Sequence, residues 1–397
     1  MKILCRNPNS RSIRNGPIME LADHQSKTVL AFRQRVTLNG KTHLLKVVAS
    51  RTAKSAGILG PGTETIYSLE TDPQKITLQS LKVDFHVIVY QNPPFVVVYL
   101  SFENTTAKPV AIGDIHLFET VPDAPVSIGG KVKRGTRYVY VNNFKDCWVQ
   151  GLGRRLVGHG ISVIYNLDSK VSLNTSFMTF NQMKSMIITD FDKRKGCLKS
   201  IDIYQSAGSF ILQPRRRLTT DWLYVDVSRN PQLSLERYAD QVARYYKTNP
   251  RTPAKVGWNG CASAYYSPAP RETYEEKAKR NIKAVKRRLR GLDVNHIWVS
   301  ICNYHKEIPM EWEKNTLENQ QAFPKGFVQF CTWLRQEGIK LGLWSLPFSA
   351  VSASKMFTAH PEFILKGLDG KNIPYVGEIV ENNGKFSRWG WPFGRYL

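Results

Sequence analysis

The sequence predicts a multidomain protein of the β and α/β classes. An N-terminal antiparallel β-sandwich is expected over residues 1–228, a linker helix and connector over 229–253, and the opening of a parallel α/β domain over 254–397. Three observations predict this. Up to about residue 228, short alternating runs rich in β-branched and aromatic residues recur between turn residues, with no helical period. Near residue 230 the apolar period lengthens to that of an amphipathic helix. Beyond a polar, proline-bearing stretch, strand-like and helix-like runs then alternate, as in parallel sheets with crossover helices. The 397 residues are enough for two or three domains, and 42% hydrophobic and 11% aromatic content supports packed cores.

Asp84 to Gln91 alternates, Asn92-Pro93-Pro94 breaks the run, and Phe95 to Phe102 follows as a second strand. Val110 to Phe118, Arg137 to Val141, Ile161 to Tyr165, Met186 to Asp190, Ile201 to Tyr204, Phe210 to Leu212 and Trp222 to Val227 repeat the theme, which reads as a large sandwich. Over Ser234 to Tyr246, Leu235, Tyr238, Ala239, Val242 and Tyr246 share one helical face. Lys247 to Pro253 is the connector. Ala254 to Trp258 is then a short strand. Thr273 with Glu276 three residues on is the capping-box pattern, opening a helix with Ala278, Ile282, Val285 and Leu289 as its buried stripe. Gly291 is expected to end that helix in the left-handed conformation. His296 to Ile301 is the next strand, Phe327, Phe330, Cys331 and Leu334 mark a second helix with Gly338 past its end, and Ile339 to Leu346 is a third strand. The pattern alone fits both a barrel and an open doubly wound sheet.

Composition narrows the function classes. The six cysteines, Cys5, Cys147, Cys197, Cys261, Cys302 and Cys331, form no CxxC pair, which argues against a zinc site or a disulfide framework and for a reducing compartment. Met1 to Leu4 is cut off by Cys5-Arg6-Asn7-Pro8 before a signal-peptide core forms, and no run approaches the ~18 apolar residues of a membrane span. A cytoplasmic location is therefore expected. The net charge of +24 admits an anionic partner, but the basic clusters Lys131–Arg137, Lys193–Lys195, Arg215–Arg217 and Lys286–Arg290 lie far apart in sequence, so a solvated basic surface is expected rather than a nucleic-acid groove. No GxSxG elbow, HExxH spacing or phosphate-binding glycine loop is present. Neither cofactor nor metal is expected.

Sites in (β/α) barrels are built at the C-terminal ends of strands. Three candidate ends stand out: Gly257-Trp258-Asn259-Gly260, Ser300-Ile301-Cys302-Asn303-Tyr304 and Leu343-Trp344-Ser345-Leu346-Pro347. A tryptophan there offers a flat apolar face to a sugar ring, and an asparagine offers both a donor and an acceptor to hydroxyls. Trp258 and Trp344 suit a hydrophobic core equally well.

A series of segments resembles glycoside hydrolase family 36, the α-galactosidase-like family. Val256-Gly257-Trp258-Asn259, Phe323-Pro324-Lys325-Gly326-Phe327, Gly338 to Trp344, and His360 to Lys366 with Asp369-Gly370-Lys371 are similar, in order and spacing, to the start of that family's barrel. The resemblance implies an N-terminal β-sandwich followed by a truncated (β/α)8 TIM-type barrel. It also implies retaining hydrolysis of terminal α-galactosides or related α-glycosides, by two aspartates about 5–5.5 Å apart. In the family these lie on the fourth and sixth barrel strands. The chain ends at Leu397 before a fourth strand, so no catalytic residue is expected within it, and the 397 residues by themselves are expected to be inactive.

For sugar contacts, the resemblance and the strand ends together single out Trp258, Asn259, Ser300, Asn303, Glu311, Trp312, Trp344 and Arg395. Glu311-Trp312 is similar to an acid–tryptophan pair of the family. Arg395 corresponds to an arginine that shapes the sugar site, with an exposed arginine as the competing reading. One departure stands out: the family's paired aspartates after the second strand are replaced by Ser300 to Tyr304, which contains no acid, and neutral groups bind hydroxyls more weakly. A carbohydrate is the expected partner, with neither nucleic acid nor membrane, and a homo-oligomer is compatible with the full-length form. The alternative reading is a non-catalytic glycan-binding or structural protein derived from such an enzyme.

Overall fold

The computed structural model describes residues 2–6, 18–22, 28–71, 81–121, 126, 128, 138–142, 155–181, 183–192, 197–248, 256–259, 272–289, 291–299, 323–343, 349–351, 359–363, 374–375 and 393–395. They fall into two units, Met1–Pro250 and Arg251–Leu397.

In the first unit, alternation and turn residues give sixteen strands: β1 Lys2–Arg6, β2 Ile18–Ala22, β3 Thr28–Leu38, β4 Lys41–Gly57, β5 Gly60–Thr71, β6 Leu81–Gln91, β7 Pro94–Asn104, β8 Val110–Thr120, β9 Tyr138–Asn142, β10 Arg155–Gly158, β11 Ser162–Asn166, β12 Val171–Phe177, β13 Lys184–Asp192, β14 Cys197–Leu212, β15 Arg217–Thr219 and β16 Leu223–Ser228. They form one sheet in the order β10-β13-β14-β8-β3-β4-β5-β6-β7-β16-β12-β11-β9, with β1 and β2 extending from β3, and β15 from β7. Within it, neighbouring strands such as β6 and β7 or β12 and β16 run antiparallel.

The sequence pattern predicts two sheets packed face to face. Hydrogen bonding instead runs unbroken along one sheet, which curls until one face encloses a common core. Phe32 of β3 meets Phe85 of β6 edge-on at 6.4 Å, although two strands separate them in the hydrogen-bonding order. The runs Ile201–Tyr204 and Phe210–Leu212, expected as two strands, belong to the single strand β14. Its register with β8 shifts between Ser206 and Phe210, and Gly208 sits there at φ +63°, a conformation open to glycine at no steric cost.

Strand β7 is buried on both faces. Val96, Val98, Leu100 and Phe102 enter the enclosed core, while Phe95 and Val97 join Tyr90, Tyr224 and Tyr238 in a second core on the opposite face. That second core is roofed by helix α1, Pro231–Tyr245. The helix begins three residues earlier than its apolar stripe suggests, because Asn230 caps it, accepting from the amides of Gln232 and Leu233 at 3.0 and 3.1 Å, and Pro231 occupies the first turn. Asp226, 1% exposed, seats the helix on the sheet: the Ser234 hydroxyl donates to its Oδ2 at 2.7 Å, and the Arg237 guanidinium lies at 3.4 Å. Tyr238 donates its hydroxyl to the Phe177 carbonyl at 2.6 Å, and burial pushes that phenol up to about 12. Asn104-Thr105-Thr106 and Asn174-Thr175-Ser176 match the glycosylation triplet, but both asparagines are structural. Asn104 and Asn174 are fully buried, and their side chains bond to Leu212 and Ser234.

In the second unit, β17 Val256–Asn259, α2 Tyr274–Arg288, β18 Val294–Val299, α3 Phe327–Gln336 and β19 Lys340–Leu343 follow in turn, and the three strands form a parallel sheet in chain order. Thr273 and Glu276 make the expected capping box. Ala278 and Ile282 are buried, but Leu289 is 45% exposed, because the helix stops at Arg288 and Leu289 is already its cap. Gly338 takes the left-handed conformation, at φ +71°. Phe323 is the hub of an aromatic cluster that joins the helices, with rings 5.5 Å from Tyr274, 5.0 Å from Phe327 and 5.2 Å from Phe330. Strands β20 Ser349–Val351, β21 Pro374–Tyr375 and β22 Phe393–Arg395 form a small antiparallel sheet in the order β20-β22-β21.

Two stability measurements test this account. Asp226→Ala leaves the Ser234 hydroxyl and the Arg237 guanidinium without their buried acceptor, so urea unfolding followed by far-UV circular dichroism should show a loss of about 3 kcal/mol in the first unit. In the second unit, Thr273 donates to Glu276 from both its amide and its hydroxyl, which holds that carboxyl below the ordinary glutamate range. A folded value below the unfolded one means that the contribution is present above the ordinary range and lost as pH falls through the folded value. Thr273→Ala should cost about 1 kcal/mol at neutral pH and progressively less on acidification. An equal cost at pH 3 and pH 7 would refute the pairing.

Candidate functional site

A parallel sheet brings the C-terminal ends of all its strands to one edge, and the segments that leave there build the sites of βα folds. In this sheet Asn259 of β17 lies level with Trp298 of β18, and Val299 lies level with Leu343 of β19. The three strands therefore finish within a residue or two of one another on the same edge. Trp258 is in register with Ile297 and, across β18, with Leu341; Asn259 is in register with Trp298 and Gly342.

The glycine of the Gly-Trp-Asn run has a physical reason. A Cβ on Gly257 would stand 3.1 Å from both the Cβ and the carbonyl oxygen of His296, so any side chain there would press on β18 and force a shift of a few tenths of an ångström. A Cβ on Gly342 would meet nothing nearer than the Ile297 carbonyl at 3.5 Å.

Two of the eight residues singled out from the sequence, Trp258 and Asn259, thus stand at the strand-end edge. Ser300 and Trp344 directly follow β18 and β19 in the sequence; together with Asn303, Glu311 and Trp312 they lie outside the described residues. Arg395 lies in β22, paired with Ser349 of β20. Trp298 lies at the same edge and is not among those eight. It is 37% exposed beside Asn259 in register, while its neighbour Ile297 is fully buried. The signal was present in the alternation of His296, Ile297 and Trp298, which sets the tryptophan on the face opposite the buried isoleucine.

The charge character of this edge follows from the sequence. Residues 254–271, 294–306 and 338–361, which span the three strands and the first residues after each, contain no aspartate or glutamate, and the first acids after β18 are Glu307, Glu311, Glu313 and Glu318. Among the described residues, no three His, Cys, Asp or Glu side chains come together as a metal site, and no helix is long and apolar enough to cross a membrane.

A second polar grouping lies in the first unit. The Ser101 hydroxyl is 2.9 Å from His86 Nε2, and His86 Nδ1 is 2.9 Å from Glu64, with the Tyr99 ring stacked on the imidazole at 4.2 Å. Because a carboxylate only accepts, Nδ1 donates to Glu64, and in the neutral imidazole Nε2 then accepts from the serine. The order is that of a nucleophile relay. However, Ser101 sits in β7, which pairs with β6 on one side and β15 on the other, so the nearby backbone amides are committed to the sheet and none is aimed as an oxyanion hole. Burial and the Glu64 charge raise the phenols of Tyr99 and Tyr90, the latter to about 12, which removes them as acids or bases near neutral pH.

No protein-family model matches the sequence, and no curated protein matches it. Solved structures do. An α-galactosidase of Lactobacillus brevis is similar at 14% identity and a TM-score of 0.52, covering 89% of this chain and 49% of its own. A family 36 α-galactosidase of Geobacillus stearothermophilus, solved with 1-deoxygalactonojirimycin, is similar at 11% identity and a TM-score of 0.56, covering 100% of this chain and 56% of its own. A variant of it solved with raffinose gives 12%, 0.56, 98% and 54%. At such identity the likeness shows the fold, which is that of part of these enzymes. The chain spans about half the length of the structures it matches.

The close approach at Gly257 gives a stability test. Gly257→Val should lower the stability of the second unit by about 1–3 kcal/mol through overpacking against His296. Gly342→Ala, with ordinary contact distances, should cost no more than about 1 kcal/mol as a glycine replaced within a strand. Thermal unfolding of the two variants decides it, and equal effects would show that the close approach is not a constraint.

Proposed function

We propose that this chain is part of a glycoside hydrolase of the family 36 type, acting on terminal α-galactosides or related α-glycosides by a retaining mechanism. In this reading the curled sheet is the counterpart of the N-terminal β-sandwich domain, and residues 254–397 are the first part of a (β/α)8 barrel. The single observation that carries it is the fold likeness to family 36 α-galactosidases over nearly the whole chain. The strand–helix order of the second unit and the glycine-dependent approach of β17 to β18 support the same reading.

Trp258, Trp298 and Trp344 would supply apolar surfaces to a sugar, and Asn259, Ser300 and Asn303 its hydroxyl partners, with Glu311, Trp312 and Arg395 completing the contacts. In the family the catalytic aspartates lie on the fourth and sixth barrel strands, so on this reading they belong to strands outside these 397 residues. A second reading, a non-catalytic glycan-binding protein, is favoured by the acid-free character of all three strand ends.

Hydrolysis of an aryl α-galactoside separates the two. The 397-residue chain should show no turnover, and a chain extended through five further barrel strands should show it. Turnover by the 397 residues alone, abolished by Glu311→Gln, would overturn the placement of the catalytic pair. No turnover by the extended chain, together with retained binding of raffinose, would favour the binding protein.

A further inference from the structure

Helix α2 divides into two faces of opposite character. Tyr274, Ala278 and Ile282 are buried, and on the outward side Arg280, Lys283 and Arg287, spaced by three and four residues, form one exposed row. At ~1.5 Å rise per residue the row spans roughly 10 Å. Lys286 and Arg288, also exposed, flank it. Arg280 is paired with Glu272 at 2.6 Å and Lys286 reaches Glu337 at 3.2 Å, whereas Lys283, Arg287 and Arg288 enter no ion pair among the described residues. Glu276, one turn before Arg280, is the last acid of the helix, and none occurs from there to Asp293, so no acidic side chain on the helix's later turns offsets Lys283 and Arg287. Lysine and arginine in the last turn also complement the helix dipole, but that effect is confined to one turn and does not account for cations continued back to Arg280.

We propose that this outward face of α2 is a docking surface for an acidic polysaccharide. A straight row of separate cations on a convex face suits a ligand whose negative charges repeat along a chain, and a single small anion would find no enclosure there. The exposed residues of the row include no aromatic side chain on which bases of a single strand could stack, which sets it apart from single-stranded nucleic-acid grooves. The choice of a polysaccharide over a nucleic acid rests on the proposed glycosidase reading. The anionic character is supported independently by the chain's 56 basic against 32 acidic residues.

The test uses the full 397-residue chain and heparin as the sulfated polysaccharide probe. Lys283→Glu/Arg287→Glu should weaken heparin binding at 0.15 M salt by about tenfold or more, and should reduce the slope of log affinity against log salt by about two. Lys283→Gln/Arg287→Gln should give a smaller loss in the same direction, with far-UV circular dichroism unchanged. Lys41→Glu/Lys54→Glu makes the same charge change on exposed lysines of the first unit and should weaken binding much less. Equal losses for the two reversed pairs would show only the pull of net charge and would overturn the proposal, as would no effect of the α2 pair. Displacement of bound chain by duplex DNA at a lower charge concentration than heparin would assign the face to nucleic acid instead. Raffinose binding and aryl α-galactoside hydrolysis, measured in parallel, report on the glycosidase reading by itself.

Discussion

Burial of β7 on both faces is the constraint on which the first unit depends. A strand that alternates between two cores cannot be an edge and cannot shift register, since a slip of one residue would exchange Val96, Val98, Leu100 and Phe102 for Phe95 and Val97. With β7 fixed, β6 and β16 are fixed on either side, and the sheet must curl for its inner face to close over Phe32, Phe85 and Phe118. The outer face of β7 then requires a cover. Helix α1 supplies it, with Tyr238 buried in the second core and Val242 and Tyr245 packed against it.

Covering a sheet with a helix brings polar groups into an apolar interface, and two carboxylates show how this is managed. Asp226 accepts from Ser234, Tyr224 and Arg237, so the charge that burial disfavours is matched on the helix side. Asp221, also 1% exposed, accepts from Thr179, Gln205 and the amide of Asn181, tying the start of β16 to the segment before β13. Both are fully engaged acceptors inside a rigid frame, which suits structure rather than proton transfer.

The second unit places its chemistry differently. Its strands are short, and their value lies in where they end. The parallel register gathers Trp258, Asn259 and Trp298 on one edge, while α2 and α3 are joined to each other by the ring cluster around Phe323 and by Lys286 donating to the Glu337 carbonyl at 2.7 Å. Trp298 is exposed there, level with Asn259.

The sequence by itself determined the local elements. Alternation marked most of the strands, the Thr273–Glu276 spacing marked the capping box, and Gly338 marked the end of α3, because each depends on interactions within a few residues. It also placed Gly257 beside Trp258 and Asn259, which the register sets at the end of β17. Only the tertiary structure decided that the strands join into one curled sheet, that Gly208 lets two apparent strands run on as one, and that Asn104 and Asn174 are structural rather than exposed. It alone explained why residue 257 is a glycine and showed that Trp298 is half exposed beside Asn259. The physical reason is common to all of these. Each is set by what lies across a strand pair or a packed face, and that neighbour is distant in sequence, so no local period carries the information.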